Sequence, residues 1–168
     1  MEPERCAECG FDATLLTTAD AVAALRSMGR RWRAALKDVP EDRLRQRPEA
    51  LVWSPLEYAA HTRDVLALVG WGMNKALEGS RPVFDAVEPD PPGTDHGYNV
   101  LDPPSVLGEL GSNAERIARR ADRALPEHWK RTATSGDSEV DAGWLLRHAV
   151  HDASHHLRDV ERDLRSDR

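Results

Sequence analysis

Apolar residues return every three to four positions in four long stretches of the chain, the spacing of a buried face on an α-helix. The first stretch carries Ala21, Val22, Leu25, Met28, Trp32 and Leu36; Thr18 or Asp20 supplies its cap, and it ends before Pro40. Residues 40–44, Pro-Glu-Asp-Arg-Leu, form a connector or a single helical turn. The second stretch has the clearest start in the chain. In Trp53-Ser54-Pro55-Leu56-Glu57, Ser54 is the N-cap, Pro55 takes the first helical position and Glu57 closes a capping box; the helix runs to about Leu77 and contains His61.

Residues 79–103 hold five prolines and few periodic apolar positions, so they read as a long connection rather than an element, of the kind that covers a pocket. A third helix starts near Ser105, carries Val106, Leu107, Leu110, Ala114, Ile117, Ala121 and Leu125, and stops before Pro126. Strand-like alternation is nearly absent, with residues 133–140 open to either strand or loop. The fourth helix begins around Asp141. The pattern is all-α: a four-helix bundle with a long connection between helices 2 and 3, spanning residues 17–168 and preceded by a tail over residues 1–16.

The fourth helix concentrates the chemistry, with His148, His151, His155 and His156 falling within nine residues. Two ligands four residues apart point the same way and can hold one ion. Two such pairs are present, His151 with His155 and Asp152 with His156. Leu146, Ala149, Ala153, Leu157, Val160 and Leu164 define the buried stripe. At about 100° per residue, His156 and Asp152 fall about 60° and 100° from Ala153, whereas His151 and His155 fall about 160° away. Asp152 and His156 therefore flank the core, and His151 and His155 face solvent or another element. A solvated polar face is the bland alternative.

Composition narrows the function class. A formal net charge of −6 argues against a non-specific nucleic-acid binder. No apolar run long enough to cross a membrane and no secretory-type N-terminus is present, so a cytoplasmic location is expected. Only three of the 23 basic residues are lysine, an Arg- and Ala-rich usage typical of a high-GC, actinobacterial-type genome. The two cysteines, Cys6 and Cys9, form one C-x-x-C in the tail; by itself this is half a zinc site or a redox pair.

Bundles build metal sites from side chains on facing helices. Trp53-Ser-Pro-Leu-Glu-Tyr-Ala-Ala-His61, followed by His151-Asp152-Ala-Ser-His155-His156-Leu-Arg-Asp159-Val160, resembles the DinB-like superfamily, which includes the mycothiol-dependent maleylpyruvate isomerases and related thiol-dependent transferases. The resemblance covers the chain after residue 16. It implies a divalent metal, zinc or nickel, with His61 as first ligand and His156 as last, and the middle ligand falls on Asp152 where a His or Glu is usual. His148 and His155 are the alternates for that place. Asp159 is a candidate to orient a ligating imidazole.

Three functional readings follow. The first is a metal-dependent transferase or isomerase that uses a low-molecular-weight thiol such as mycothiol and acts on a small molecule, which rests on the resemblance. The second adds a structural zinc that joins Cys6 and Cys9 to His151 and His155, a C-x2-C plus H-x3-H ligand set. The third is a non-catalytic metal- or ligand-binding module. Gly70 and Gly72 beside Trp71 mark close helix packing or a homodimer contact. Trp32, Trp53 and Trp144 read as core, Trp71 and Trp129 as exposed anchors, and His96 and His128 as solvated. No phosphate-binding glycine loop, serine nucleophile elbow or His-Glu-x-x-His is present.

Overall fold

The computed structural model describes residues 4–85 and 94–166. Four long helices carry the core: α1 (Thr18–Leu36), α3 (Pro55–Leu77), α4 (Pro103–Asp122) and α5 (Ala142–Ser166), with a short α2 (Glu41–Arg45) in the first connection. Each long helix packs on two others. α1 touches α4 and α5, and α3 touches the same two, so α1 faces α3 across one diagonal and α4 faces α5 across the other. The architecture is the expected four-helix bundle.

Local chemistry sets the helix starts. Thr17, rather than Thr18 or Asp20, is the cap of α1, and Asp20 closes its capping box. Ser54 and Glu57 form the second box, with Pro55 opening α3. Asp102 caps α4, which therefore starts ahead of Ser105. The Asp141 carboxylate accepts from the Trp144 amide at the start of α5, 2.7 Å away. α4 ends at Asp122, so Leu125 lies past the helix and is 52% exposed instead of joining the core.

Trp32 is fully buried at the centre and donates its indole N–H to the Ala153 carbonyl, 3.3 Å away. α1 and α4 touch through backbone: a Cβ on Gly29 would lie 2.7 Å from the Gly111 Cα. Gly70 and Gly72 serve packing within the chain, the first against Ile117 and the second against Phe84. Trp71 is exposed, while Trp129 is half-buried against the core.

Small strands complete the fold. Residues 133–140 are a hairpin, β4 (Thr132–Ser135) with β5 (Ser138–Asp141), and β3 (Val83–Phe84) adds to it in parallel through Val83↔Thr134. The expected connection over 79–103 thus contains an element; its residues 86–93 lie outside those described. At its far end, residues 94–101 strap the start of α3. Trp53 Nε1 donates to the Thr94 carbonyl at 2.9 Å, and Ser54 Oγ to Asn99 Oδ1 at 2.7 Å. The N-terminal segment is docked on the bundle as a hairpin, β1 (Arg5–Cys6) with β2 (Phe11–Asp12). Among the described residues no helix is long and apolar enough to cross a membrane.

Candidate metal centre

The capping box that starts α3 also positions the first candidate ligand. Glu57 is buried, accepts from the Ser54 amide at 2.8 Å and from Arg47 Nε at 2.8 Å, and so anchors the turn that precedes His61. From α5, Asp152 and His156 reach the same place. His61 Nε2 lies 3.7 Å and His156 Nε2 3.4 Å from Asp152 Oδ1, and one donor atom from each residue falls within 4.8 Å of the others. Metal bonds of about 2.1 Å in a tetrahedral arrangement put two ligand atoms about 3.4 Å apart, so the spacing suits one ion.

Two further observations fit a cation there. Asp152 Oδ2 is buried with no hydrogen-bond partner, and an anionic oxygen so placed is costly unless positive charge offsets it. Burial favours a neutral Asp152, but the His156 and His61 imidazoles outweigh it and hold the carboxyl well below the ordinary carboxylate range. Burial likewise lowers His156, but Asp152 and then Asp159 prevail and push it up to about 9. The cluster is built to hold positive charge.

Aromatic rings wall the site. Trp53 lies 4.9 Å from the His61 ring, and Tyr58 lies 5.3 Å from that of His156. Burial, followed by the Asp159 and Asp163 carboxylates, pushes the Tyr58 phenol up to about 12, so it keeps its proton near neutrality. His96 is exposed, as expected, but its ring stands 6.1 Å from Trp53 and 5.1 Å from Tyr98 at the edge of the site. His128, expected in solvent, is half-buried in the turn before β4.

The opposite face of α5 meets the N-terminal hairpin. One donor atom each from Cys6, Cys9, His151 and His155 lies within 4.8 Å of the others. Glu4 joins them, accepting from His151 Nδ1 at 2.7 Å and His148 Nδ1 at 3.0 Å. His148 is thereby committed to Glu4 and to its stack on Trp144, and His155 to the cysteines. Neither joins the group of His61 and His156; the residue that stands with them is Asp152. Burial raises the Cys6 thiol, but the Cys9 amide and the His151 imidazole bring it down to about 6.

Glu4 had no signal in the sequence, because an acidic residue near a terminus is ordinarily solvated. Tyr58 was hidden among the helix-forming residues that follow the cap.

A model of the DinB superfamily matches residues 24–160. YfiT from Bacillus subtilis, described as a probable metal-dependent hydrolase with an unusual four-helix bundle topology, is 14% identical with a TM-score of 0.68, over 88% of this chain and 87% of that one. The mycothiol-dependent maleylpyruvate isomerase is 13% identical with a TM-score of 0.65, over 88% of this chain but 62% of that one. At these identities the likeness is one of fold. No curated protein matches.

Proposed function

The chain belongs to the DinB superfamily, and on that premise we propose that it is a divalent-metal protein in which His61, Asp152 and His156 hold zinc or nickel and a low-molecular-weight thiol, such as mycothiol, is activated for transfer to, or isomerisation of, a small electrophile. The observation that carries this reading is the donor set itself. It has three protein ligands rather than four, and the side chains of His61, Asp152 and His156 keep 12%, 10% and 18% exposure. Closed structural sites use four ligands; catalytic sites leave a position for water or substrate.

When bound, a divalent ion supplies Lewis acidity that lowers the pKa of a coordinating thiol or water. The residues around it have separate tasks. Asp159 Oδ2 lies 3.5 Å from His156 Nδ1, on the far side of the ring from the Nε2 that faces Asp152, the place of an outer carboxylate. Tyr58 stays protonated and offers a hydrogen-bond donor at the wall. Trp53 and His96 give one side of the site an aromatic surface that suits an unsaturated substrate. Support for the thiol comes from the mycothiol-dependent isomerase among the structural neighbours, and for the metal from YfiT and the donor geometry.

The test uses nickel-charged, untagged protein carrying Cys6→Ser and Cys9→Ser, so that an added thiol is the only thiol present. One equivalent of metal is expected, with a sulfur-to-nickel charge-transfer band on adding a thiol and neither in the further His61→Ala variant. Metal binding without a response to thiol would leave a hydrolytic or purely structural centre. No metal at all would favour a non-catalytic helical module.

A further inference from the structure

We infer that the N-terminal hairpin and α5 together form a second metal site, a zinc centre with Cys6, Cys9, His151 and His155 as ligands, which clamps residues 4–16 onto the bundle. It stands apart from the centre at His61 and does not rest on the activity proposed for it. Its cysteines precede the residues 24–160 that match the family model.

The hairpin is shaped to present two sulfurs to one ion. Cys6 pairs with Phe11 across β1 and β2, and the Gly10 amide donates back to the Cys6 carbonyl at 2.9 Å. Gly10 has φ of 72°, a conformation that an L side chain resists, so the knuckle depends on that glycine. The Glu8 and Cys9 amides point at Cys6 Sγ and the Phe11 amide at Cys9 Sγ, so backbone donors surround both sulfurs. Both cysteines are free of disulfides.

α5 supplies the other half, one turn apart on one face. Cys6 Sγ is 3.6 Å from His155 Nδ1, close to the spacing of about 3.5 Å between sulfur and nitrogen ligands on tetrahedral zinc. His151 spends Nδ1 on Glu4, and its Nε2 is buried with no hydrogen-bond partner, leaving a lone pair for a metal. His155 turns its other nitrogen, Nε2, to Asp159 Oδ2 at 3.3 Å. Each imidazole thus has an outer carboxylate on the nitrogen that does not face the cysteines, the usual way of fixing tautomer and ring orientation in zinc sites. Two thiolates with two imidazoles select zinc over harder cations.

A clamp also explains why so short a hairpin is ordered. Two strands of two residues are not stable in water on their own. Here they gain the Phe11 ring stacked 4.6 Å from His151, the Arg158 guanidinium on the Cys9 carbonyl, and the metal.

The experiment is cobalt exchange into the full-length chain, read by absorption and metal content. Wild type is expected to show a thiolate-to-cobalt charge-transfer band with tetrahedral ligand-field bands. His61→Ala should keep that band, while Cys6→Ser and His155→Ala should lose it together with one equivalent of metal. A wild-type spectrum with no sulfur band would overturn the inference, and because it needs no variant, misfolding cannot mask the result. A Cys6→Ser protein that binds as much metal as wild type would overturn it equally.

Discussion

His155 and His156 are adjacent in the chain, yet their imidazoles stand 82° to one another and enter two different clusters, His155 with the cysteines and His156 with His61 and Asp152. They meet again at a single carboxylate. Asp159 Oδ2 is 3.3 Å from His155 Nε2 and 3.5 Å from His156 Nδ1, while Arg162 holds the other oxygen at 3.0 Å. One carboxylate oxygen therefore stands between the two clusters.

Removing that carboxylate should weaken both sites together. Asp159→Asn is expected to lower metal affinity about tenfold or more at each. Chelator competition reads this separately, with His61→Ala as background for the cysteine site and Cys6→Ser for the other. An effect on one site alone would show that Asp159 serves only that side.

Asp152 should tolerate exchange for another ligand but not deletion. Asp152→Glu and Asp152→His are expected to keep an equivalent of metal between the helices, whereas Asp152→Ala should lose it and leave the cysteine site intact. Calorimetric titration with zinc checks the set. Full binding by Asp152→Ala would remove this residue from the ligands.

The Glu57–Arg47 pair should make stability depend on acid. Burial raises the Glu57 carboxyl, but the Arg47 guanidinium and the Ser54 amide outweigh it, so its folded value lies below the ordinary 4.5. A depressed carboxyl stabilises the fold above its unfolded value, and that contribution is lost as pH falls through the folded one. Glu57→Gln is expected to cost about 2 kcal/mol at neutral pH. Its difference from wild type should shrink below about pH 4.5, as followed by urea unfolding across pH. A difference that stays constant into acid would mean that the charge is not what matters.

The α1–α4 crossing leaves no room for a methyl group at its centre. Gly29→Ala would set a Cβ 2.7 Å from the Gly111 Cα, backbone against backbone, so the helices must separate. The expected loss is about 2 kcal/mol and a melting temperature lower by about 4–8 °C. An unchanged melting curve would mean that the crossing gives way freely.

Most of the bundle was legible because its signals are local. Capping at Ser54 and Glu57, the proline that opens α3 and the apolar stripe on α5 each arise within one or two turns of helix. The stripe also carried the register: with Ala153 and Leu157 buried, Asp152 and His156 must border the core, and the structure brings them to His61. The short strands were not legible. β3 has two residues, too few for alternation to show, and its parallel partner lies far along the chain. Leu125 continued the helical spacing in sequence, but the helix had already ended at Asp122.

By itself the sequence determined the fold class, the four helices and the apolar stripe of α5 that Asp152 and His156 flank, because periodicity and capping depend on neighbours within a few residues. Only the tertiary structure decided what each face meets. That the N-terminal hairpin folds back on α5, that Glu4 gathers His148 and His151, and that Asp159 stands between His155 and His156 all depend on contacts or side-chain directions set by packing. Such choices follow from which surfaces exclude water together, and no window of sequence contains both sides of that contact.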